Sequence, residues 1–476
     1  MYKHYFKMLV FGLVGFAVSV NADIYMKKTP VKMQNKSDEF LRQLWEKNKI
    51  SIPCEASDNV MVRRLYIDLA GRVPTPQEAK KYVESKDAEK QSALVAAILA
   101  SEEHAMFWTM RFGDEMRIKS EFPINLWPNA AFLYSRVIYD FLNSNMPYDI
   151  FAEKLLTAQG SNFRNGYANF FRAVPQKNAN EIANAVAMFF FGCELKKLEN
   201  AEQKKLLEVF DAVRFKSTRE WKEEIVYSLQ STDNDSRKVF VQSLLKDERF
   251  AYTMVRRCWR WLFGNGEVSD DIIKHYAEYF RKNNHDVRKL VNHICTSAAY
   301  RAGCFSDNNY AEAVKYGAVY PIRRIDAEVL ADSIAQITNR PYSYSSVIPE
   351  PFSFFNNRAA ALTDGSVTDS FLMLFGRPSR DFGTVDERKN EITPDQRLYL
   401  FNSSDLHNRL QRMWGSVLKK EKDKLSALYW LFYSRPISKQ ERNAFRAMQK
   451  KHKNNWKVQN SMPWVLLNSK EFLYQH

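Results

Sequence analysis

From Asp38 to Lys49 the apolar residues fall at Phe40, Leu41, Leu44 and Trp45, the spacing of one face of a helix. The same periodicity predicts helices over 59–70, 76–85, 88–100, 102–118, 128–145 and 147–158. Residues 180–191 are apolar on most sides, which predicts a buried helix. Two charged segments, 200–212 and 217–230, read as surface helices. Further helices follow over 236–246, 248–263, 286–299, 308–318 and 325–339, and then over 394–402, 404–419, 421–433, 438–452 and 462–468. Between these two groups, 340–368 holds three prolines and many aromatic residues and reads as a long loop or a minor β-hairpin. The fold class is therefore mainly α. Ser231-Thr232-Asp233-Asn234-Asp235-Ser236 is the best linker, dividing helical domains at 38–230 and 236–476. It resembles part of a calcium loop but lacks the glycine and the distant glutamate.

Polar punctuation sharpens the helix starts. Thr75-Pro76-Gln77-Glu78 is a capping box with proline at the first helical position, where its missing N–H costs nothing. Ser438-Lys439-Gln440-Glu441 and Thr393-Pro394-Asp395-Gln396 make the box again. The first two share their approach as well: Leu65-Tyr66 and Leu428-Tyr429 precede a small residue and then an arginine, Arg72 or Arg435, 363 residues apart. Each copy reads as helix, tight arginine-bearing turn, capped helix. Both domains are thus built from helical hairpins. The two arginines are expected to bond helix C-terminal carbonyls, with anion binding as the alternative.

Composition adds compartment and partner. Only 15 of 476 residues are glycine, too few for an all-β chain rich in tight turns. Lys3, His4 and Lys7 precede an apolar run, Met8 to Val20, and Val20-Asn21-Ala22 fits a signal-peptidase site, so residues 1–22 read as a signal peptide. The run is short for a transmembrane helix, and no later segment is long and apolar enough, so no transmembrane segment is expected after cleavage. Cleavage takes the net charge from +15 to +13, an excess suited to an acidic polymer or a membrane surface. Export argues against nucleic acid as the partner. Cys54, Cys193, Cys258, Cys295 and Cys304 are odd in number and irregular in spacing, so they form no disulfide scaffold. A single bridge, Cys295 to Cys304, or buried free thiols are the two readings.

No catalytic signature appears. The chain has no phosphate-binding loop of Walker type, no Gly-x-Ser-x-Gly elbow and no His-Glu-x-x-His. His275, His285 and His293 miss the spacing that puts two ligands on one helix face, so no metal and no cofactor is expected. The dense polar groups are Arg377, Arg380, Asp381, Asp386, Glu387 and Arg388, and, upstream, Arg323, Arg324, Asp326 and Glu328. Such mixed clusters build ion-pair networks. A buried pair such as Arg388 with Glu328 is also able to line a pocket. Arg324, Glu328, Arg377, Arg380, Glu387 and Arg388 are accordingly the candidate ligand-binding residues, and no catalytic residue is assigned.

Several of these motifs together resemble a pair of bacterial domains of unknown function, numbers 1549 and 1553, common in exported planctomycete and verrucomicrobial proteins. The first is suggested by Arg63-Arg64-Leu65-Tyr66-Ile67-Asp68-Leu69 running into Gly71-Arg72-Val73-Pro74-Thr75. The second is suggested by Val255-Arg256-Arg257-Cys258-Trp259, Leu262-Phe263-Gly264, Arg324-Ile325-Asp326-Ala327-Glu328, Phe375-Gly376-Arg377-Pro378 and Glu387-Arg388. Many relatives carry Cys-x-x-Cys-His after a Phe-x-Gly segment, a motif for haem or metal. Here Gly192-Cys193-Glu194-Leu195 is followed by Lys196-Lys197-Leu198, and a second thiol pair is replaced around Thr384 and Asp386. The expectation is an exported, non-catalytic binding or scaffold protein of the cell envelope, periplasmic or extracellular, with an anionic polysaccharide or an envelope protein as partner. The alternative is an enzyme acting on polysaccharide through a carboxylate and arginine cluster.

Overall fold

The computed structural model describes residues 24–231, 235–344, 358–451 and 455–476. Residues 1–22, read as a signal peptide, lie outside them, as do 345–357 of the 340–368 segment and the centre of the 231–236 linker; the described parts of 340–368 hold a single 3-10 turn, Ala359–Ala361, and no strand. The chain is mainly helical, with 59% helix and 6% strand.

The longer helices are α1 (Lys36–Lys47), α2 (Asp58–Ala70), α3 (Pro76–Glu84), α4 (Lys90–Leu99), α5 (Glu102–Glu115), α6 (Pro128–Asn143), α7 (Tyr148–Leu156), α8 (Ala179–Val186) and α9 (Asn200–Phe210). After the linker come α10 (Ser236–Leu244), α11 (Glu248–Phe263), α12 (Asp270–Lys282), α13 (Val287–Cys295), α14 (Ala327–Thr338), α15 (Pro394–Asn402), α16 (Ser404–Arg412), α17 (Lys424–Tyr433), α18 (Lys439–Lys451) and α19 (Asn455–Leu467). Strands β1 (Met26–Pro30) and β2 (Cys54–Ala56) pair antiparallel. Strands β3 (Gly160–Ser161), β5 (Glu224–Ser228) and β4 (Val213–Ser217) form a small antiparallel sheet in that order, and β6 (Arg323–Arg324) pairs with β7 (Tyr474–Gln475).

The helix expected over 217–230 is therefore a β-hairpin. Val213, Phe215 and Val226 point one way; Arg214 and Lys216 stand opposite Tyr227 and Ile225 on the other face. That two-residue alternation, and not the density of charge, decides the segment. All five cysteines are free thiols, so the Cys295–Cys304 bridge is not formed.

The two halves are threaded through one another. Trp45 of α1 donates its indole N–H to Tyr316 O at 2.7 Å, and Gln91 of α4 donates to Cys295 O at 2.8 Å. Arg63 of α2 donates to Phe432 O at 2.9 Å and Phe472 O at 2.8 Å, satisfying the orphan carbonyls at the ends of α17 and of the short helix Lys470–Leu473. The C-terminal strand β7 completes a ladder with β6. One hydrophobic core runs from Val31 to Phe472 across both halves.

The repeated hairpin is built the same way twice. Gly71 and Ser434 both take the left-handed conformation, with φ of 67° and 58°. Arg72 then grips Glu78 at 2.8 and 2.9 Å and Glu103 at 2.9 to 3.2 Å. Arg435 grips Glu441 at 2.8 and 2.9 Å and Glu471 at 2.6 and 2.8 Å. Both arginines thus bond carboxylates where helix carbonyls were expected, because each capping-box glutamate already faces the turn. Each guanidinium also stacks on the tyrosine six residues earlier, Tyr66 or Tyr429.

Candidate functional site

A dense cluster of charged side chains lies where α5 and α11 end together. The last turn of α5 carries Arg111, Asp114 and Glu115. Carboxylates at a helix C-terminus oppose the helix dipole and need cations from elsewhere. Two arginines serve each. Arg257 and Arg260 of α11 hold Glu115 at 2.7 and 2.5 Å; Arg380 and Arg388 hold Asp114 at 2.9 and 2.6 Å. The α11 terminus is capped by cations: Arg111 donates to Trp261 O at 3.1 Å, and Arg323 to Trp261 O and Leu262 O at 3.3 and 3.2 Å. Gly264 follows at φ 89°, turning the chain away.

The third side comes from the start of α14. Asp326, its N-cap residue, accepts from Arg111 at 3.0 Å and from the Asn390 amide at 3.1 Å. Two residues on, the fully buried Glu328 is bridged by Arg388 at 2.7 and 3.1 Å, so the pair singled out in the sequence is formed. Arg388 therefore links Asp114 of the first half to Glu328 of the second. The loop 381–385 closes the mouth. Gly383, at φ 67°, lets it lie against α5, where an added Cβ would come within 2.7 Å of Glu115 O.

These side chains enclose a narrow cleft of about 50 Å³. Arg111, Arg260, Arg323 and Arg388 line it against Asp114, Glu115 and Asp326, with Trp261, Asn265 and Asn390 between. Four guanidiniums face three carboxylates in the lining, and two buried acids behind it, Asp68 on Arg323 at 2.5 Å and Glu328 on Arg388 at 2.7 Å, complete their pairing. Arg111 Nε and Arg323 Nε, both buried, find no acceptor among the described residues. Burial raises the Asp326 carboxyl, but Arg388, Arg111 and Arg323 outweigh it and hold that carboxyl well below the usual range. Burial likewise opposes, and the arginines again prevail, at Glu115 through Arg257 and Arg260 and at Glu328 through Arg388 and Arg377. A general acid needs the reverse, a carboxyl pushed upward. Burial does push Asp332 upward, but it is spent on the amides of Ala359 and Ala360 and on Arg358, away from the cleft lining.

Of the six candidate residues, Arg388 lines the cleft. Glu328 lies behind it, and so do Arg380, against Asp114, and Arg377, whose Nε is 3.5 Å from Glu328. Arg377 is otherwise committed to the carbonyls of Leu362, Asp364 and Val367. Arg324 pins Phe375 O and Lys389 O. Glu387 gathers the amides of Asp381, Phe382 and Gly383, shaping the mouth loop. Arg111, Asp114, Glu115 and Arg260 were not foreseen; the available signal was Asp114-Glu115 at a helix C-terminus, a pair that demands distant cations.

The histidines divide. His275 and His293 each place Nε2 on the Ser37 hydroxyl, at 2.8 and 2.6 Å, while His285 turns to Asp149 at 3.6 Å. Among the described residues no group of three or more His, Cys, Asp or Glu side chains is placed to hold a metal ion. A larger groove of about 330 Å³ lies over α17 and α18, lined by Trp414, Leu425, Leu428 and Phe445. Its polar rim holds Lys422, Lys424, Arg442 and Arg446 beside one acid, Asp423, which is paired with Arg442 at 2.8 Å; it contains none of the six candidate residues, whereas the smaller cleft contains Arg388.

Residues 36–207 match the family model described as PSCyt2, protein of unknown function (DUF1549), and residues 236–449 match PSD1, protein of unknown function (DUF1553). No curated protein and no solved structure matches. No helix among the described residues is long and apolar enough to cross a membrane.

Proposed function

The chain belongs to the proteins that carry the DUF1549 and DUF1553 domains in tandem, and from that premise we propose that it is an exported, non-catalytic binding protein of the cell envelope whose junction cleft takes an anionic group. The observation that carries this reading is a cleft with room for one small group at which two buried guanidinium N–H groups, Arg111 Nε and Arg323 Nε, have no acceptor among the described residues. About 50 Å³ is somewhat more than the volume one water occupies in the liquid. A carboxylate or sulfate fits that scale and that charge, and arginine forks suit both. Glu115 and Asp326, held ionised by their arginines, are poor proton donors near neutral pH, which favours recognition over turnover. The signal-peptide reading of residues 1–22 supports export, and the net charge, +15 and +13 without those residues, supports an acidic partner, polysaccharide or protein.

Arg260 is the residue to test, because it is partly exposed and its loss leaves Glu115 still paired with Arg257. Isothermal titration of the mature protein with galacturonate and with inorganic sulfate should show binding that weakens steeply with salt. Arg260→Ala should weaken it about tenfold. Binding indifferent to both salt and Arg260→Ala would sink the cleft as the site.

A further inference from the structure

A cleft that admits one charged group leaves the rest of its ligand outside, and the surface beyond the mouth carries a run of exposed rings. Phe382, in the mouth loop, is 65% exposed. Its carbonyl accepts from Arg117 at 3.4 Å, and its neighbour Asp381 accepts from Lys119 at 2.6 Å. From Lys119 the chain enters a loop closed by Leu126 N to Lys119 O at 3.2 Å and Trp127 N to Ser120 O at 3.1 Å. That loop lifts Phe122 to 80% exposure. It also holds Trp127 at φ 72° and ψ 148°, a conformation that side chains other than glycine avoid and that persists only where the surroundings enforce it. The Trp127 ring meets Trp221 at 6.1 Å and 79°. Trp221 stands at the tip of the β4–β5 hairpin, 69% exposed, with Lys222 Nζ 5.1 Å over its ring.

We propose that the junction cleft is the anchoring end of a track, Phe382 to Phe122 to Trp221, that holds an acidic polysaccharide chain, one anionic group in the cleft and successive sugar rings against the aromatic side chains. This rests on the reading of the cleft as an anion site. Large exposed rings on segments that are bonded to one another mark an interaction surface. An aromatic face suits the apolar C–H face of a sugar, and the neighbouring cations suit its carboxylate or sulfate. In the hairpin turn, 218–223, the exposed Arg219 and Lys222 stand with the exposed Glu220 and the buried Glu223, and the exposed Arg164 is 3.9 Å from Glu223; Glu121 in the loop is a further opposing charge.

The test is titration of the full mature chain, followed by tryptophan fluorescence, with galacturonic acid, its longer oligomers, neutral cello-oligomers and polyuridylate. The longer acidic oligomers should bind about tenfold tighter than the monomer or better, because later rings bind as an intramolecular step. Trp221→Ala and Phe382→Ala should abolish that gain, with the monomer's affinity as the reference in each variant and thermal melting as the control for folding. Oligomers no tighter than the monomer, or a gain that survives both variants, would overturn the track while leaving the cleft intact. Monomer binding that is absent, or unmoved by Arg260→Ala, would overturn the cleft and the anchored track with it. Polyuridylate binding tighter than the oligogalacturonates, with the same dependence on Trp221, would overturn the polysaccharide in favour of a nucleic acid.

Discussion

The hairpin clamps and the junction cleft are both made of arginines facing carboxylates, and they do opposite things with them. In each clamp one guanidinium meets two carboxylates, Glu78 and Glu103 or Glu441 and Glu471, and its donors are used up within the hairpin unit. In the cleft the partners come from segments 60 to 274 residues apart, and two buried guanidinium N–H groups are left without acceptors among the described residues. A saturated guanidinium has nothing left for a ligand. This is why Arg72 and Arg435 are structural, and why Arg260, partly exposed and bonded to Glu115, is the better candidate for recognition.

The comparison breaks most sharply at Arg388. Arg388→Met removes the cation shared by Asp114 and the fully buried Glu328. Removing one partner of a buried ion pair costs about 3–5 kcal/mol. Urea unfolding should show that loss; a variant as stable as the parent would mean that Glu328 is served by Arg377 alone. The clamps come next, and they are not equal. Arg435 is 4% exposed and Arg72 14%, and Glu103 is exposed enough to be shared with Arg358 at 3.0 Å. Arg435→Ala should therefore cost about 3 kcal/mol and Arg72→Ala about half of that, since exposure screens the charge. Equal losses would show that burial does not set the difference between the copies.

How much of this was legible depended on contact range. The capping boxes at Thr75, Thr393 and Ser438 were readable because each is closed within four residues, and each is formed. The segment 217–230 was misread because its charges suggested a helix surface; it is the turn and second strand of a hairpin whose first strand, Val213-Arg214-Phe215-Lys216, fell between the two expected helices and alternates as a strand does. In the site, Arg388 and Glu328 were named together, but nothing in the sequence ties Asp114 to arginines 266 and 274 positions away. Such pairings are set by which helix ends meet, and that is a property of the packed core. Trp221 and Phe382 were invisible for the converse reason: a ring that should be buried and is not can be recognised only after the core is complete.

The smallest expected effect separates the clamps from the cleft by pH. Burial raises the Glu78 carboxyl, yet Arg72 and the Thr75 amide and hydroxyl overcome it and bring it from 4.5 to about 2. A folded-state value below the unfolded one means that the unfolded chain binds more protons in between, so stability rises with pH there. The Glu78 contribution is complete above about pH 4.5 and is lost as the pH falls through about 2. Glu78→Gln should cost about 1 kcal/mol at neutral pH, because the site is half exposed and glutamine keeps part of the cap. The gap in melting temperature between parent and variant should then close as the pH drops across that window. A gap that stays constant down to pH 2 would assign the Glu78 effect to packing and not to its charge. Anion binding at the cleft should be indifferent to the same substitution, since Glu78 shares no partner with Arg111, Arg260, Arg323 or Arg388.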